Sequence, residues 1–312
     1  MTAPAIDGVL LRLAPGQPVA LHAGLARARE SISAALVALR DVPDPALAHP
    51  WPTGVEVDLR YGFYRQYETL EDARAQIRPM LAAARTHETP ARPLVAAASA
   101  ARWDLHGLLA GLSDDELDRD PGNGEWTVRQ TLAHIVSGQR GYGVGTAWWL
   151  ARRDAPAEDF PSRFPPELDA ELPTEEDEGL GSLDEIRSRL DETVDQSAAV
   201  FAPLGADLLA ARARWSGIPV DIRFRIVRWT SHLREHTIQL DKTLGFIGRP
   251  TSEVARLLRL IAAAYGRLEE ELFMWPAGGA PTEALALAEA VARGIHGDVA
   301  AVRELGGVGA TG

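Results

Sequence analysis

The chain has 312 residues, 46% of them hydrophobic and 24% charged, the composition of a globular protein large enough for one large or two smaller cores. A net charge of -12 with no basic stretch disfavours binding dominated by contacts to nucleic-acid phosphates, a local basic patch aside. The absence of cysteine excludes disulfides, iron–sulfur clusters, zinc–thiolate sites and a cysteine nucleophile, so a transition-metal site must use histidine and carboxylate, and any thiol must arrive from outside.

The opening MTAPAIDGVLLRLAPG lacks the apolar stretch of a signal peptide, and no run approaches about 18 consecutive apolar residues. The expectation is a cytoplasmic protein without a membrane partner. Leu21, Leu25, Ala28, Ile32, Ala35, Leu36 and Leu39 recur at helical steps and predict a helix from Pro18 to Leu39. Pro43, Pro45, Pro50 and Pro52 then impose a loop. VEVDLRYGFYR alternates loosely and reads as a short strand or as aromatic loop packing, followed by a helix from Leu70 to Arg85. THETPARP marks a boundary, and a helix from Leu94 to Leu112 follows.

After the turn DPGNGE, Thr127 and Gln130 form a capping box that starts a helix running to Arg152. Residues 153–181 shift to Pro, Asp and Glu and read as a long exposed crossover, with a mobile lid as the alternative. Ser182 and Glu185 make a second capping box and open another helix. Gly217 and Pro219 interrupt the chain, a helix covers Asp221 to Leu244, and two more cover Ser252–Phe273 and Thr282–Leu305. The fold class is therefore all-α, arranged as an N-terminal helical region (1–90), a central bundle (91–250) and a C-terminal helical extension (251–312).

His232 and His236 lie one turn apart on one helix face, within reach of one metal ion. With His232 as the zero of a helical wheel at about 100° per residue, His236 falls at about 40°, Arg225 at about 20°, Gln239 at about -20° and Glu235 at about -60°. Trp229, Leu233, Leu240 and Leu244 cluster beside them, which turns the histidines partly inward. His134 lies on a separate helix and shares its face with Gly138, Gly141 and Gly145. Each interior glycine costs about 0.8–1 kcal/mol relative to alanine, so the glycines call for a reason: room for a ligand, close packing on a neighbouring helix, or a helix that ends near Gly141.

EWTVRQTLAHIVSG and HLREHTIQLDKTLGFIGRP together resemble the DinB/YfiT superfamily of four-helix-bundle metalloproteins over Pro93 to Pro250. There a tryptophan and a helix cap precede the first metal histidine, and an H-x-x-x-H on a later helix supplies two more. Here these are Trp126, His134, His232 and His236, with Glu235 and Gln239 at the accompanying positions. The resemblance implies a bundle of DinB type with additional N- and C-terminal helices, and a divalent metal on the three histidines, zinc first and nickel second. It also implies a transferase using a low-molecular-weight thiol, or a hydrolase. A metal-bound thiol or water would supply the nucleophile.

Glu235 is the candidate base, with a surface ion pair to Arg228 or Arg234 as its alternative. Gln239 and Arg225 are candidates to contact a ligand carboxylate, with structural roles as the alternative, and Trp148 and Trp149 wall a pocket or fill the core. His22, His49, His87, His106 and His296 occur singly and read as structural. The expected partner is a small-molecule substrate; the oligomeric state stays open, a homodimer among the options. Two other readings compete. HLREH matches the H-x-x-E-H of inverted zincin peptidases, which need a downstream carboxylate in an α+β fold and leave His134 without a role. A non-catalytic bundle of the stress response, holding metal or a small ligand, is the other.

Overall fold

The computed structural model describes residues 13–17, 19, 21–52, 56–84, 89–122, 124–249, 251–273 and 282–308. The expected helix limits at Pro18 and Arg85, the residues His87 and Pro250, and the opening stretch 1–12 lie outside them. The helices are α1 (Ala23–Leu39), α2 (Arg60–Ala84), α3 (Arg92–Leu109), α4 (Val128–Ala151), α5 (Pro166–Asp169), α6 (Glu175–Glu178), α7 (Leu183–Phe201), α8 (Ala206–Leu209), α9 (Ile222–Phe246), α10 (Glu253–Phe273) and α11 (Thr282–Leu305). Strands β1 (Arg212–Trp215) and β2 (Ile218–Asp221) form one antiparallel hairpin, so the chain is helical as expected.

The chain divides into two units: residues 1–20, 88–98 and 113–248 in one, and 21–87, 99–112 and 249–312 in the other. The first holds the four-helix bundle of α4, α7, α9 and the opening turns of α3. Both predicted capping boxes start their helices. The Gln130 amide N–H reaches Thr127 Oγ1 at 3.1 Å while Gln130 Oε1 accepts from the Thr127 N–H at 2.9 Å, and Ser182 and Glu185 repeat the exchange for α7. Val128, Leu132, Ile135 and Val136 of α4, Ile186, Leu190 and Val194 of α7, and Ile226, Trp229, Leu233 and Leu240 of α9 are buried. Each such side chain contributes about 1.5–3 kcal/mol on removal from water. In the second unit, α1, α2, α10 and α11 share a continuous core that includes Ile32, Leu36, Phe63, Leu70, Ile261, Leu268, Ile295 and Val302.

Three local expectations are corrected. VEVDLRYGFYR is not a strand: Asp58 makes only an isolated bridge to Pro50, and α2 begins at Arg60. Leu59, Phe63, Leu70, Ala73, Ile77 and Leu81 are buried together, a helical spacing that the nearby aromatic residues mask at short range. The interruption at Gly217 and Pro219 is a two-residue hairpin turn. Ser216 and Gly217 both take positive φ, 49° and 83°, and Trp215 pairs with Ile218 across the turn. The acidic stretch 153–181 is not uniformly exposed, because Glu178 is buried against Arg140 with Oε1 2.5 Å from Nε.

Candidate metal centre

His134 projects from α4, and His232 and His236 from α9. The two helices pack closely because α4 carries glycine where α9 carries bulk. A Cβ at Gly138 would lie 2.4 Å from His232 Cε1, and one at Gly145 would lie 2.7 Å from Arg225 Nη2. Gly141 meets nothing within 4 Å and lines a cavity. The glycine face thus does two jobs: Gly138 admits an imidazole from the neighbouring helix, and Gly141 leaves space.

The three imidazoles converge. Their ring centroids are 4.3 Å (His232–His236), 4.6 Å (His134–His236) and 5.2 Å (His134–His232) apart. One ring nitrogen from each lies within 4.8 Å of the others, and no other group of three such ligands occurs among the described residues. Three neutral nitrogen donors make the ligand number and type of catalytic zinc sites, one short of a structural site.

Neighbouring groups fix two of the rings. His134 Nδ1 donates to Glu175 Oε1 of α6 at 2.8 Å, and His236 Nδ1 donates to Gln239 Oε1 at 2.7 Å. Each bond places the proton on Nδ1 and leaves Nε2 as the free donor atom, the arrangement that orients metal-binding histidines. His232 is 7% exposed, and its buried Nδ1 has no hydrogen-bond partner among the described residues. Burial, then the neighbouring imidazoles His236 and His134, push its pKa down to about 3. Burial lowers His236 as well, with the hydrogen bond to Gln239 pulling the other way. Rings held neutral at physiological pH, one with an orphaned nitrogen, fit a divalent cation.

Glu235 pairs with Arg228, the alternative its sequence position offered. Its carboxylate is half exposed and 2.7 Å from Arg228 Nη2, and that hydrogen bond lowers its pKa. Gln239 directs its amide oxygen at His236. Arg225 is buried two turns before His232 on α9, with Nε donating to Thr146 Oγ1 at 2.9 Å and Nη1 to the Arg214 carbonyl at 2.7 Å. Tyr142 lies between these positions, its ring 5.4 Å from that of His232 and 5.7 Å from the Arg225 guanidinium carbon. Trp126 packs on His134 at 5.0 Å. Trp148 and Trp149 are both buried, and Trp149 also lines the cavity.

None of the other described histidines belongs to the three-histidine group. His22 caps α1, His49 lies against the Leu305 carbonyl, His106 packs on Trp103, and His296 is exposed. The arrival of His134 beside the pair, in an all-helical surround, removes the basis for an inverted zincin. Sequence reasoning missed Glu175 and Tyr142. A local signal for Glu175 exists, since Thr174 and Asp177 form a third capping box inside the acidic stretch.

Residues 97–240 match the profile of the DinB superfamily. No curated protein and no solved structure matches the chain significantly. Among the described residues no helix is long and apolar enough to cross a membrane.

Proposed function

With residues 97–240 belonging to the DinB superfamily, we propose that the chain is a divalent-metal-dependent enzyme that uses a low-molecular-weight thiol as cosubstrate in a transferase reaction. The observation that supports this most is the convergence of His134, His232 and His236 with ligand atoms within 4.8 Å of one another. Zinc suits three imidazole donors, with nickel as the second choice. A bound cation would deprotonate a thiol or water near neutral pH and present it as a nucleophile.

The protein's own groups prepare that chemistry. Glu175 and Gln239 hold two rings in the tautomer that offers Nε2, and burial keeps His232 free of a proton. In the proposed transfer, the thiol sulfur bonds to an electrophilic carbon of the substrate, whose leaving group departs with its electron pair. The thiol proton passes to solvent, with the half-exposed Glu235 as the proposed relay; its ion pair with Arg228 favours rapid release of that proton to water. A cytoplasmic setting, where such thiols stay reduced, belongs to the same proposal.

Elemental analysis of the purified protein and of His232→Ala tests the metal. Stoichiometric metal that is lost in a folded variant supports the reading, and a metal-free wild type of equal stability sinks it. Turnover with bacillithiol, mycothiol or glutathione, compared with turnover without thiol, separates transferase from hydrolase.

A further inference from the structure

A cavity of about 460 Å³ opens beyond the histidines, lined by Gly141, Gly145 and Trp149 of α4, by Arg163 and Phe164 of the acidic connection, and by Arg214 and Arg225, among others. Its volume falls in the range of small-molecule sites, about 300–1,000 Å³. Arg225 is the most buried of the three arginines that line it. The residue is 7% exposed, and its Nε and Nη1 bond only to the neutral Thr146 hydroxyl and Arg214 carbonyl. Its Nη2 lies against Gly145, on the cavity wall, and has no hydrogen-bond partner among the described residues.

No carboxylate among the described residues pairs with this guanidinium. Two other deeply buried arginines are each compensated by a carboxylate: Arg140 has Glu178, and Arg102 has Glu269. A buried cation without a counter-charge is costly, and desolvation lowers the Arg225 pKa to about 10. Arg163 and Arg214 add two further positive charges to the wall, against the single acidic side chain of Asp169. The balance of the lining is cationic in a chain whose net charge is -12.

We infer that this cavity is an anion site: Arg225, aided by Arg214 and Arg163, receives an oxyanion group, foremost a carboxylate, of a small organic ligand. A buried guanidinium with a free Nη2 on a cavity wall is the residue chemistry that recognises such groups. The cavity also sits at a defined distance from the histidines. Gly141 follows His134 by two turns on α4, and Arg225 precedes His232 by two turns on α9, about 10 Å in each case. A molecule that reaches both places carries its reacting group at one end and an anionic group about 10 Å away. Joining the two ends in one substrate rests on the function proposed above; the anion site itself does not.

Thermal unfolding of the full-length protein with millimolar glutarate, inorganic phosphate or chloride tests the site. Glutarate raises the Tm of the wild type by about 2–4 °C relative to chloride, and Arg225→Met abolishes that rise. Gly141→Leu, which projects a bulky side chain into the cavity and leaves Arg225 in place, reduces it too and covers the case in which Arg225→Met fails to fold. His232→Ala retains the rise even if the metal reading fails. A rise with phosphate but not glutarate keeps the anion site and assigns it to a phosphorylated ligand. No rise with either, or an equal rise in the Arg225→Met and Gly141→Leu variants, overturns the inference.

Discussion

Gly138→Ala separates the shape of the histidine cluster from the identity of its ligands. The added methyl would lie 2.4 Å from His232 Cε1 and 3.1 and 3.2 Å from its two ring nitrogens. Carbon atoms in contact sit about 3.5–4.0 Å apart, so something must yield by about 1 Å. The helices are tied at this level by the Gln139 amide, which donates to the Trp229 carbonyl at 3.2 Å. The imidazole, at the end of its side chain, yields first. Alanine in place of glycine gains about 1 kcal/mol of helix propensity, whereas overpacking costs about 1–3 kcal/mol. The net cost is therefore about 0–2 kcal/mol, and the variant folds. Metal geometry is less forgiving: ligand distances hold to about 0.2 Å, and displacing the supports of a ligand weakens binding by about 10–100-fold. Competition against a chromophoric chelator is expected to show that loss in zinc affinity, with a small drop in the urea midpoint at unchanged m. Gly141→Ala is the control, since open space there predicts a gain of about 1 kcal/mol and no change in zinc binding. Wild-type zinc affinity in Gly138→Ala would refute the reasoning.

Metal-free protein loses stability on acidification because of His232. Its folded pKa, about 3, lies below the ordinary value of 6.5, so between these values the unfolded chain binds more protons. This contribution is fully present above about pH 6.5; about 1–2 kcal/mol of it disappears between pH 7 and pH 5, a fall in urea midpoint that His232→Gln lacks. Glu175→Ala removes the partner of His134 Nδ1 and weakens zinc binding about 10-fold or more at unchanged stability, with Glu175→Gln in between. Equal zinc affinity in all three proteins would mean that the bond does not orient the ring. In the second unit, Glu269 accepts from Arg29, Arg102 and Ser99 and is fully buried, so Glu269→Leu costs about 3–5 kcal/mol in chemical denaturation. A loss below about 1 kcal/mol would show the cluster to be dispensable.

Much of the fold could be read from residue patterns, because long amphipathic helices announce themselves over several turns. Leu21 to Leu39 and the boxes at Thr127 and Ser182 are such signals. The β-hairpin escaped because its strands have four residues each, too few for a period to emerge, and Ser216-Gly217 reads equally as a break. The start of α2 escaped because tyrosine and phenylalanine crowd its first turns. The histidine cluster was legible through spacing on one helix and through resemblance for the second. Glu175 was not, since one specific carboxylate is invisible among the six others of residues 167–178 and the further acids upstream. Arg225 was visible as a position on the wheel, but its lack of a counter-charge exists only in three dimensions.

The buried pair of Arg140 and Glu178 fastens the acidic connection to α4 just after the residue that steadies His134. Upstream of that clasp, Ser162, Arg163, Phe164 and Asp169 line the proposed anion cavity, whereas the histidine supports Glu175 and Gln239 lie at or beyond it in the chain. Insertions and deletions are tolerated best in such surface segments. A change of length in that stretch is therefore expected to alter which acid the cavity receives, with the supports of the histidines left in place.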